Sequence, residues 1–184
     1  AMLVTKPLGM GAVSTALKKD KMEAGAAIPG MQESAMQVMA TLNRTASEIA
    51  AEFDVHAATD ITGFGFAGHS CEMLAGTGLQ LCVEAAQLPL ITGALDLVRA
   101  GSLSGGCARG KQHFGGRVEI EGSVDAALAD LVFDAETSGG LLIAVPSQQA
   151  QQLSDRLRDA GVPSSAIAGH FVKSSADAPL LKLR

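Results

Sequence analysis

Apolar residues recur along the chain at two different spacings, and these divide it into alternating helices and strands. Over residues 32–53 the positions Ala35, Met39, Leu42, Ala46, Ile49, Ala50 and Phe53 keep a helical period, which predicts one long amphipathic helix. Leu79, Leu81 and Val83 instead alternate with Gln80, Cys82 and Glu84, the period-two pattern of a half-buried strand. The unbroken apolar run at residues 141–145 reads as a strand covered on both faces.

Shorter strands are predicted at residues 3–5, 55–59, 117–121, 167–172 and 180–183. Helices are predicted from Gly9-Met10-Gly11 to about Lys19, at residues 66–74 and 92–100, from a Ser123 N-cap to about Leu131, and from Pro146-Ser147 onward. Gly76 with Gly78, Gly101 and Gly161 stand where helices should stop. Gly25 and Pro29-Gly30 mark a loop. Residues 102–116 hold five glycines and little periodicity, so a long ordered loop is expected there. The closing order β-α-β-α-β-β has part of a ferredoxin-like topology. With no linker, repeat or low-complexity tract, residues 1–184 read as a single mixed α/β (α+β) domain.

Composition narrows the function classes. A hydrophobic fraction of 47% against 18% charged residues belongs to a chain that buries a core. A net charge of −5 with scattered Lys and Arg argues against nucleic-acid binding. No apolar run reaches the roughly 18 residues that span a bilayer, so no membrane role is expected. Cys71, Cys82 and Cys107 are odd in number and widely spaced, which fits buried thiols in a reducing cytoplasm better than disulfides or zinc. The opening Leu3-Val4-Thr5-Lys6-Pro7 reads as a strand already under way, as in a piece of a longer protein.

Thr59-Asp60-Ile61-Thr62-Gly63-Phe64-Gly65 is the segment richest in chemistry. Asp60 falls at the end of a predicted strand, where ligands of open α/β sheets bind. A carboxylate there is a hard oxygen donor suited to Mg²⁺, and Gly63 and Gly65 let backbone N–H groups approach an anion at a helix start. Asp60 is equally suited to cap the turn or the helix. Thr137-Ser138-Gly139-Gly140 reads either as an anion-accepting nest or as a turn whose glycines take positive φ. His56 shares a strand face with Asp60, as a metal partner or as a lone imidazole. His69 lies close enough to orient the Asp60 turn. Asn43, unfavourable inside a helix, implies a specific hydrogen bond or contact with another element. No Ser-His-Asp, Cys-His or Walker P-loop pattern is present.

Five blocks together resemble the selenophosphate synthetases (selenide, water dikinases): Thr5-Lys6-Pro7-Leu8-Gly9, Met39-Ala40-Thr41-Leu42-Asn43-Arg44, His56 through Thr59–Gly65 to Gly68-His69, Gly105-Gly106, and Thr137-Ser138-Gly139-Gly140-Leu141. They occur in family order over most of the chain. The wider group is the aminoimidazole ribonucleotide synthetase-like ATP-binding proteins, and this chain resembles their C-terminal domain. That resemblance implies a three-layer α/β/α fold and a reaction in which selenide, ATP and water give selenophosphate, AMP and orthophosphate. It also implies that Asp60 joins a Mg²⁺ site, with Thr59, Thr62, Gly63, Gly65, Thr137, Ser138, Gly139 and Gly140 near nucleotide phosphates. The partner would be the protein's own N-terminal ATP-binding domain, which carries the catalytic residues and most of the dimer contacts in this family. No catalytic residue is therefore assigned to this chain, and the piece is expected to be inactive alone. Met10, Cys107, Gly110 and Ala135-Glu136 depart from the family pattern, which has Thr, Thr, Asn and Pro-Gln there. The alternatives are another member of the group, such as a hydrogenase maturation factor or thiamine-monophosphate kinase, or a non-catalytic binding module.

Overall fold

A computed structural model describes residues 1–18, 30–175 and 177–184. Among these residues seven strands form one mixed sheet in the order β2-β5-β1-β6-β3-β7-β4. They are β1 (Met2–Val4), β2 (Ala57–Asp60), β3 (Leu79–Val83), β4 (Val118–Ile120), β5 (Leu141–Ala144), β6 (Ala166–Lys173) and β7 (Leu181–Leu183). Strand β1 pairs antiparallel with β5 on one side and β6 on the other, so β5 and β6 run together with β1 threaded between them. Strands β3, β7 and β4 are mutually parallel. The ferredoxin-like topology is partial for this reason: β1 interrupts it, and β4 lies at the far edge.

The described helices are α1 (Met10–Lys18), α2 (Met31–Ala40), α3 (Arg44–Ala50), α4 (Gly65–Leu74), α5 (Ala94–Arg99), α6 (Gly105–Phe114), α7 (Ala126–Leu131) and α8 (Ser147–Asp159). Alternate residues of a strand face opposite sides, and the core divides accordingly. Met2, Val4 and Leu142 face a large cluster with α1, α4, α5, α6 and α7. Leu3, Ile143 and Val145 face a smaller one with α3 and α8. This is the expected α/β/α arrangement, with strands β1 and β5 buried on both faces.

Three expectations are corrected. The helix expected over residues 32–53 is two helices, because the chain turns extended at Thr41 (ψ 121°). Thr41 Oγ1 donates to Gln37 O, and Asn43 uses its amide on Gly139 O at 2.9 Å rather than on a helix cap. Most of the glycine-rich segment expected as a loop is helix α6, capped by Ser104 accepting from Gly106 N–H. Gly106 and Gly110 lie on the face that meets Phe133–Ala135, where a Cβ on either would approach within 2.9 Å of that segment. Close packing thus outweighs low helix propensity. The N-cap of α7 is Asp125, accepting from Ala127 N–H, not Ser123. The helix end at Lys19 and the loop at Gly25 and Pro29 lie outside the described residues.

Candidate functional site

The antiparallel pairing of β2 with β5 sets Asp60 opposite Leu141. This register brings the end of the Asp60 strand against residues 137–140, which lead into β5. Ile61 N–H donates to Gly140 O at 2.9 Å, and Glu136 N–H donates to Thr62 O at 2.9 Å. The two glycines are needed for close approach. A Cβ on Gly139 would sit 2.2 Å from Ile61 O, and one on Gly140 would sit 2.5 Å from Lys6 N. Neither takes a positive φ; in this turn the left-handed residue is Ser138, at φ 56°.

Asp60 stands exposed at the corner of the sheet, at the end of edge strand β2. Among the described residues its carboxylate accepts no hydrogen bond, and Phe64 rather than Asp60 occupies the N-cap of α4. Capping therefore does not account for Asp60. Its neighbours are ordered instead by His69, whose Nε2 lies 3.1 Å from Thr62 Oγ1 and whose ring lies tilted against Phe64, centroids 5.4 Å apart. Burial pulls the His69 pKa down, while the nearby charges of Asp60 and Glu72 push it up. Gly65 N–H donates to Thr62 O and Ala67 N–H to Val132 O, so these two donors serve the fold. His56 turns to Asp54, 3.4 Å away. Among the described residues no group of three His, Cys, Asp or Glu could hold a metal.

Around this corner the other blocks are stitched together by side chains, of which Lys6, Thr5 and Glu136 were not assigned to the site by sequence reasoning. Lys6 Nζ donates to Thr41 O at 2.6 Å and to Ser138 O at 2.9 Å. Ser138 Oγ donates to Met39 O, and Thr5 Oγ1 accepts Leu141 N–H at 2.8 Å. Glu136, 5% exposed, accepts the N–H groups of Gly9 and Met10 at the start of α1. Burial pushes its carboxyl up to about 8, against the pull of those two donors. The signals were present: Asn43 sits uneasily in a helix, and Glu136 stands where the resemblance implies a Gln. Thr59 Oγ1 donates to Asp60 O at 3.2 Å, and Thr137 lies exposed in the turn ahead of Ser138. Cys71, Cys82 and Cys107 are buried and free, and burial pushes Cys71 and Cys107 up to about 11, which keeps both as thiols.

Residues 1–181 match the family described as AIR synthase related protein, C-terminal domain. The chain belongs to this family. It is 40% identical over 172 residues to a selenide, water dikinase of Pelobacter propionicus, covering 94% of this chain and 48% of that protein. To the selenide, water dikinase of Caldanaerobacter subterraneus subsp. tengcongensis it is 42% identical over 156 residues, covering 85% and 44%. The chain thus spans about half the length of the curated relatives it matches. Solved structures share the fold at low identity. HypE of E. coli, a hydrogenase maturation protein, superposes with a TM-score of 0.64 at 15% identity, over 99% of this chain and 45% of that one. Thiamine-monophosphate kinase of Stenotrophomonas maltophilia gives 0.60 at 17% identity, over 99% and 49%. No described helix is long and apolar enough to cross a membrane.

Proposed function

We propose that this AIR synthase related domain is the C-terminal half of a selenide, water dikinase, which makes selenophosphate, AMP and orthophosphate from selenide, ATP and water. The observation that carries the reading is about 40% identity, over nearly the whole chain, to proteins of that name. The gathering of the matched blocks around Asp60 supports it. HypE and thiamine-monophosphate kinase share only the fold with this chain.

Asp60 fits a Mg²⁺ ligand in one respect: it is an exposed carboxylate at the end of a strand, without a partner among the described residues. It is a single ligand, so the remaining protein oxygens would come from an N-terminal ATP-binding half. Mg²⁺ bound there would offset phosphate charge. This chain's own contribution is to hold one carboxylate still. Ile61 is tied to Gly140, Thr62 to Glu136 and His69, and Ser138 to Lys6 and Met39. Leu42, 74% exposed, and Phe64, 54% exposed, flank this edge as apolar contacts for that half, through which the whole protein would dimerise in the cytoplasm.

The test is a chimera in which this chain replaces the C-terminal half of the Pelobacter propionicus enzyme. Phosphorus NMR should detect selenophosphate and AMP from the chimera and neither from this chain alone. Asp60→Asn in the chimera should reduce turnover at least about tenfold and raise its Mg²⁺ requirement. AMP formation by the chain alone, or an unchanged magnesium titration in the variant, would refute the assignment.

A further inference from the structure

Beside the Asp60 corner the sheet edge holds a cavity of about 460 Å³. Strands β1, β2 and β3 all run toward this edge. The cavity lies between the chain leaving β1, the chain leaving β3 at residues 89–92, the α2–α3 break, and residues 161–164 ahead of β6. This is where ligands of open α/β sheets bind, and the volume suits a small metabolite.

Its chemistry is one-sided. Lys6 lines the wall and is 6% exposed. Two of its three ammonium donors go to the carbonyls of Thr41 and Ser138. Among the described residues no carboxylate lies within 4.0 Å of it. Ser34, Gln37, Asn43, Thr92 and Ser164 surround the space, and no described Asp or Glu lines it. A buried cation is costly unless paired, no pair is found among the described residues, and burial here lowers the Lys6 pKa. Two neutral carbonyls orient the ammonium without neutralising it. Lysine serves as a point-charge phosphate binder, and hydroxyl and amide groups complete the donors that phosphate oxygens need.

We propose that this cavity is a binding site for the phosphate group of a small molecule, seated on Lys6 and separate from the Asp60 corner. Because Lys6 also holds Ser138 O, occupancy would tighten the turn that supports Asp60. The site is independent of the dikinase reading, since binding is measured on this chain alone.

The experiment titrates inorganic phosphate and pyrophosphate into the intact 184-residue chain, with sodium chloride at matched ionic strength and sodium acetate as controls. Thermal unfolding and the Lys6 ¹³Cε–¹Hε NMR signal are followed. The expected result is a saturable rise in melting temperature with phosphate or pyrophosphate, together with movement of the Lys6 signal. Lys6→Met should abolish the rise in melting temperature. Ser34→Glu adds a carboxylate at the rim and leaves the Thr41 and Ser138 contacts in place; it should weaken binding at least about tenfold. If Lys6→Met does not fold, Ser34→Glu decides the matter. A response matched by chloride, a response to acetate alone, or phosphate binding undiminished by Ser34→Glu would overturn the assignment.

Discussion

The carboxylate of Glu136 accepts the backbone N–H of Met10 at 2.9 Å, joining residues 126 positions apart at the start of α1. Glu136 also donates its own N–H to Thr62 O. A single buried residue thus ties the first helix to the turn that follows Asp60.

The burial of Glu136, which outweighs the pull of the Gly9 and Met10 donors, predicts a pH-dependent stability. The folded carboxyl is raised from 4.5 to about 8, so the folded state holds the proton more tightly than the unfolded one. Its contribution is fully present below about pH 4.5 and is lost as pH rises through about 8. Glu136→Gln keeps one of the two acceptors for α1 and removes the titrating group. Urea unfolding at pH 5 and pH 8.5 should show a smaller loss of stability across that interval in the variant, by an amount on the order of a few kcal/mol. Equal losses in both proteins would mean that Glu136 does not set this pH dependence.

Asp60→Ala should change the stability of this chain by less than about 0.5 kcal/mol. The carboxylate is exposed and accepts no hydrogen bond among the described residues. Chemical denaturation measures this directly. A loss above about 1 kcal/mol would give Asp60 a structural role that its surroundings do not contain.

Gly139→Ala should behave in the opposite way. The added methyl would lie 2.2 Å from Ile61 O, a contact that only backbone movement relieves. A destabilisation of about 1–3 kcal/mol is expected. Hydrogen exchange should become faster at Ile61, whose N–H donates to Gly140 O. Unchanged protection at Ile61 would show that the turn absorbs the methyl elsewhere.

Asn43→Ala removes the 2.9 Å bond to Gly139 O and should cost about 1 kcal/mol. Asn43→Asp has no N–H to donate there and should not restore it. Paired urea titrations of the two variants check the point; full stability in either would assign the α2–α3 break to other contacts.

The cysteines should resist a thiol reagent at neutral pH in the native chain and all react once it is unfolded. Each is buried, and Cys71 and Cys107 are pushed up to about 11, so little thiolate forms. Rapid native labelling would contradict that burial.

Residue periodicity alone determined much of this protein. The alternation at residues 79–83 became β3, though Cys82 is buried along with Leu81 and Val83 and the strand is not half-buried as expected; the apolar run at residues 141–145 became β5, and Leu153 with Leu157 buried one face of α8. These signals are legible because a strand or helix must bury every second or every third to fourth residue, whatever surrounds it. The position of Asp60 at a strand end was legible on the same grounds, and the five blocks made the family recognisable. What only the tertiary structure decided involves partners far apart in sequence. The helix expected over residues 32–53 breaks because Lys6 and Gly139 engage Thr41 and Asn43. The glycines of α6 are helical because Phe133–Ala135 packs against them. Gly139 and Gly140 serve close backbone approach rather than positive φ, and Glu136 meets α1 across most of the chain. Local patterns carry local periodicity; a buried charge or a missing Cβ takes its meaning from whatever the fold sets against it.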